Sequence, residues 1–173
     1  MGDKITNIFS PKSTVLAFAP LEPDSANPIL REIMGINGAI LVFRPKVLPQ
    51  HLLRAKKWQF LEKIHNITDL KTIFSNKVFD ILQLILRIDD PLKPALDFIN
   101  NNAWEIGVSG IDLNFSCPGY KVIPQRRGGE LLQDPGMIYQ IIEKTLKYAE
   151  LPVSIKIRDR KSTRLNSSHR IRS

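Results

Sequence analysis

The chain has 173 residues, 43% hydrophobic and 24% charged, with 25 Lys and Arg against 17 Asp and Glu for a formal charge of +8. That balance suits one globular domain with a sizeable core, and it excludes a membrane helix, because no apolar run reaches the roughly 18 to 20 residues needed. The single cysteine, Cys117, excludes an internal disulfide and a thiolate-cluster metal site, and with no signal segment at Met1-Gly2-Asp3-Lys4 it points to the cytoplasm.

Thr14 to Ala19 is a short apolar run ended by Pro20 and predicts a buried strand. Asn27-Pro28 predicts a helix start, with Asn27 as cap and Gly35 as the stop. Ala39 to Phe43 is the next apolar run, and a helical stretch from about Gln50 to Ile64 carries Leu52, Leu53, Trp58 and Leu61. Asp80 to Leu86 predicts a third strand, and Asp90 to Asn101 a helix capped by Asp90 with Pro91 at its start. Gly110 to Phe115 is the fourth strand. Asp134-Pro135 opens a helix whose Met137, Ile138, Ile141, Ile142, Leu146 and Ala149 fall at helical spacing, and Pro152 to Ile157 is a fifth strand. Strands alternating with helices at this spacing predict βαβ units and a parallel α/β sheet.

The fourth strand carries the most information. Ile111, Leu113 and Phe115 alternate with Asp112, Asn114 and Ser116, so one face is apolar and the other carries hydrogen-bonding groups. That polar face is satisfied by water in a half-solvated sheet, or by protein or ligand in a covered parallel sheet. The strand ends on Cys117 and then Pro118, at the end where parallel α/β proteins place chemistry. A lone cytoplasmic cysteine is more often an inert core residue. Lys156 lies on the polar face of the fifth strand, where a surface lysine guarding an edge is the plain explanation. Gln83 interrupts an apolar strand, and a core glutamine bonded to backbone explains it equally well. Arg126-Arg127-Gly128-Gly129 reads first as a solvated basic loop. His51, His65 and His169 have no neighbours that assign them a role.

Three motifs in order, Asp112 to Pro118, Arg126 to Pro135 and Pro152 to Arg158, resemble those of the tRNA-dihydrouridine synthases. Ala19-Pro20-Leu21-Glu22 and Gln83 resemble further landmarks of that family, so the resemblance covers residues 14 to 158. It implies a parallel (β/α)8 TIM barrel that uses FMN, reloaded by NADPH, to reduce the C5 to C6 double bond of a uridine in tRNA. It implies a hydride delivered to C6 and a proton delivered to C5 by Cys117, since a thiol in an apolar site stays protonated near neutrality. It further implies cofactor contacts from Pro20, Leu21, Gln83, Asn114 and Lys156, with Asn114, Arg126 and Arg127 available to the RNA. No metal and no membrane enter this reading.

The chain departs from the family in Pro23-Asp24-Ser25, where a glycine is usual, and in Ser116, which is more often glycine. About five of eight βα units are expected, so residues 1 to 158 read as a truncated front part of the barrel. The loops after strands 7 and 8 that hold a flavin phosphate are not among them, and the chain alone is expected to bind FMN weakly or not at all. Residues 159 to 173 resemble a translated sequencing adapter, a non-native tail; five basic residues against one acidic put half of the net charge there. Two other functions compete: another FMN barrel such as a dihydroorotate dehydrogenase, disfavoured by the Arg126 to Pro135 block, and a non-catalytic RNA-binding module.

Overall fold

In the computed structural model, the structure describes residues 15–20, 28–54 and 78–158. Five short strands, β1 (Ala17–Phe18), β2 (Leu41–Phe43), β3 (Phe79–Leu84), β4 (Gly110–Asn114) and β5 (Val153–Lys156), form one sheet in sequential order, every pair parallel. Helices α1 (Pro28–Ile36), α2 (Pro49–Arg54), α3 (Leu92–Asn102) and α4 (Pro135–Tyr148) lie between them in the chain. Sequential parallel strands joined through helices curl into a half-barrel, and the expected α/β architecture, an incomplete TIM barrel, is what the chain adopts. No helix among the described residues is long and apolar enough to cross a membrane.

Strand pairing divides the side chains between two faces. Phe43, Ile81 and Gly110 fall in one row, Gln83, Asp112 and Ser154 in the next, and Asn114 and Lys156 in the third, all on the inner face. The opposite face presents Leu82, Leu84, Ile111 and Leu113, which join Leu92, Leu96 and Ile99 of α3 and Ile141 of α4 in one core. The inner face borders a cavity of about 500 Å³ lined by Ala17, Leu41, Phe43, Ile81 and Val153.

Local chemistry explains the element ends. Asp134 caps α4 as expected, its Oδ1 accepting the Met137 N–H at 2.9 Å, with Pro135 in the first turn. Gly35 does not stop α1, which runs on to Ile36; a side chain at Gly35 would meet Val78 at 2.8 Å, and it is Gly38 that turns the chain at φ +100°. Asp90 does not cap α3. Its carboxylate instead accepts the Arg87 N–H at 2.7 Å and pairs with Arg127. The first strand is shorter than the run of apolar residues, and the Asn27 cap, the helix beyond Arg54 and the tail at 159–173 lie outside the described residues.

A second buried ionic group ties the elements on the helical side. Asp80 of β3 sits between Arg44, whose Nε donates to Oδ1 at 2.8 Å, and Arg31 of α1, whose Nε is 3.7 Å from Oδ2. Arg44 also donates to the Ile106 carbonyl at 2.6 Å, and all three charged side chains are almost fully buried. Burial lowers the Arg31 pKa to about 10, with Asp80 opposing that shift and Arg44 adding to it.

Candidate active site

The polar face of β4 is satisfied by protein. Ser154 Oγ donates to Asp112 Oδ1 and Gln83 Nε2 donates to Asp112 Oδ2, each at 2.7 Å. Asn114 Nδ2 donates to Gln83 Oε1 at 2.7 Å, and Asn114 Oδ1 accepts the backbone N–H groups of Ser116 and Cys117, both at 2.9 Å. Ser116 Oγ lies 3.2 Å from the same Asn114 oxygen and accepts from Lys156 Nζ at 2.9 Å. A carboxylate only accepts and a backbone N–H only donates. Both ends of the chain therefore impose the same orientation on the two amides between them, and Asp112 is coupled through Gln83 and Asn114 to the turn that carries Cys117.

Burial pushes the Asp112 carboxyl up from its ordinary range, while hydrogen bonds from Ser154 and Gln83 and the charge of Lys156 pull it down. A raised native value means that the fold binds this proton more tightly than the unfolded chain does. Between the ordinary value of 3.8 and the raised value, ionisation of Asp112 thus lowers stability as pH rises. Asp112→Asn can turn its oxygen to Gln83 and its NH₂ to the Ser154 hydroxyl, so it is expected to fold and to lose that decline. Denaturant midpoints measured across this range check the expectation; parallel profiles for the two proteins would contradict it.

Cys117, half-buried, lines two clefts. One, of about 310 Å³, is also bordered by Pro20, Gln83, Asn114, Ser116 and Lys156, with Lys46 and Arg158 adding positive charge. It brings together every described residue that the sequence singled out for cofactor contact, from the ends of β1, β3, β4 and β5; Leu21 lies outside the described residues. The other cleft, about 430 Å³, passes from Cys117 to Lys46, His51, Tyr120, Lys121 and Gln125. Both volumes fall within the roughly 300–1,000 Å³ of ordinary ligand sites. Among the described residues no cluster of His, Cys, Asp or Glu has the makings of a metal site.

The two arginines of the basic loop part company. Arg126 is exposed, at φ 54°. Arg127, expected to face RNA, is buried instead: it forms a two-pronged ion pair with Asp90, its Nη2 donating to Oδ1 at 2.7 Å, and contacts the Ile85 carbonyl at 3.3 Å. A guanidinium buried and paired in this way is not presented to a phosphate. Sequence reasoning missed Asp112, Lys46 and Arg158. Asp112 was signalled by sharing a face with Asn114, and the two cations by following β2 and β5 at the end of the barrel that carries chemistry.

Residues 23–169 match the family model described as dihydrouridine synthase (Dus). The tRNA-dihydrouridine(16) synthase of Vibrio cholerae is 47% identical over 58 residues, which is 32% of this chain and 18% of that protein. The tRNA-dihydrouridine synthase B of Pasteurella multocida is 43% identical over 54 residues, 31% of this chain and 16% of its own length. The probable tRNA-dihydrouridine synthase of Rickettsia bellii is 39% identical over 54 residues, 31% and 17% respectively. The chain thus matches less than a fifth of the length of each of these relatives.

Proposed function

Because the chain belongs to the dihydrouridine synthase family, we propose that the smaller cleft at Cys117 serves the reduction of uridines in tRNA to 5,6-dihydrouridine, with FMN as cofactor and NADPH as reductant. The observation that carries this reading is the meeting of Pro20, Gln83, Asn114, Cys117 and Lys156 on one cleft from positions spread along the whole described sequence.

The donor set fits a flavin. Gln83 and Asn114 are amides locked in one orientation, suited to the polar edge of a planar heterocycle, and the Lys156 ammonium, steadied by Ser116, suits an electron-rich ring. Pro20 would flank the ring by backbone. A flavin held by these residues would supply hydride chemistry for C6 of the uridine. Cys117 delivers the proton to C5 from its thiol, and Asn114 fixes the approach of that thiol by holding the Cys117 N–H. Asn114 also borders the space a base would enter, and exposed Arg126 is available to tRNA phosphates. A cytoplasmic location accompanies this reading.

The test is direct. The complete gene product carrying these residues, given an unmodified tRNA transcript, FMN and NADPH, is expected to add two hydrogens to a uridine, read by mass spectrometry of the digested RNA. A flavin-loaded protein that binds the transcript and leaves every uridine unreduced would contradict it.

A further inference from the structure

The two residues after Arg127 reach Cys117 from outside its own strand. The Arg127 side chain is fastened beneath the end of β3 by Asp90 and the Ile85 carbonyl. Immediately beyond it, the Gly129 N–H donates to the Cys117 carbonyl at 2.9 Å. Gly128, at φ +60°, packs so closely that a Cβ there would lie 2.7 Å from the Cys117 oxygen and 3.0 Å from its Cβ. The Cys117 N–H is meanwhile held by Asn114 at 2.9 Å. Both backbone polar groups of Cys117 are therefore fixed, one from its own strand and one by Gly129, twelve residues later in a loop anchored by a buried ion pair.

We propose that Arg127 is a positioning residue: its pairing with Asp90 anchors the Gly128–Gly129 backbone, which in turn fixes Cys117 and the aim of its thiol between the two clefts. A guanidinium fork suits this task, because two parallel hydrogen bonds fix orientation as well as distance. The proposal rests on the reading of Cys117 as the acid, although its first readout needs neither cofactor nor RNA.

Arg127→Met in the full chain is expected to speed amide hydrogen exchange at Gly129 and Cys117 about tenfold through local opening, while Leu84 and Leu113 in the sheet keep their protection. In the complete, flavin-loaded protein the same change is expected to lower kcat about tenfold and leave KM for tRNA unmoved, and Arg127→Lys, which keeps the charge and loses the fork, to recover only part of the rate. If Arg127→Met does not fold, Asp90→Asn, which leaves one acceptor, is read in the same way. Exchange that is unchanged, or faster across the sheet as well, overturns the proposal, as does failure of both variants to fold. Local exchange that rises with kcat unchanged also overturns it, whereas dihydrouridine formation that survives Cys117→Ala overturns the functional reading instead.

Discussion

Asp80→Ala is expected to destabilise the protein by about 3–5 kcal/mol, since removing one partner of a buried ionic group leaves uncompensated charge in the interior. Asp80 is 2% exposed and both arginines are 0% exposed. Without the carboxylate, Arg31 and Arg44 lose the charge they share, and burial already lowers Arg31 to about 10 with Asp80 in place. The loss is a large part of the roughly 5–15 kcal/mol that holds a typical domain together. The damage is not confined to one element, because the group links α1, the residue after β2, β3 and the turn before β4. Urea unfolding checks this. A midpoint shift equivalent to less than about 1 kcal/mol, the scale of an exposed pair, would show that the group is solvated.

The sheet was legible because its strands announce themselves locally. Ile81 to Leu86 is an apolar run broken only by Gln83, Ile111 and Leu113 alternate with polar residues, and the apolar stripe of α4 repeats at helical spacing behind an Asp-Pro start. The gathering of Gln83, Asn114, Cys117 and Lys156 was also legible, since each lies near the carboxyl end of a strand and parallel strands in sequential order bring those ends together. What escaped was long-range pairing. Asp90 has the local setting of a helix cap and Arg127 that of a loop cation, and each took a different role because the other lies 37 residues away in sequence and beside it in space. Asp112 escaped for a related reason. Its partners, Gln83 and Ser154, come from the two neighbouring strands, and only the register discloses them.

Cys117→Ala carries the second large effect. A positioned general acid contributes about 10²–10⁴-fold to rate, and under the proposed function removing the thiol would take away the proton source while leaving the Lys156, Asn114 and Gln83 contacts of the cleft in place. The backbone clamps are expected to survive as well, because Asn114 and Gly129 hold the main chain of residue 117 and not its side chain. Flavin and tRNA affinity should therefore stay within a few-fold while dihydrouridine formation collapses. A parallel loss of binding would instead mark the thiol as a structural group.

The most direct test of the account is the initial rate of dihydrouridine formation, by mass spectrometry of digested tRNA, for the complete flavin-loaded protein and its Cys117→Ala variant under the same reducing conditions. With Cys117 as the acid, the variant's rate is expected to be lower by about 10²–10⁴-fold with tRNA binding retained. Equal rates in the two proteins would contradict it.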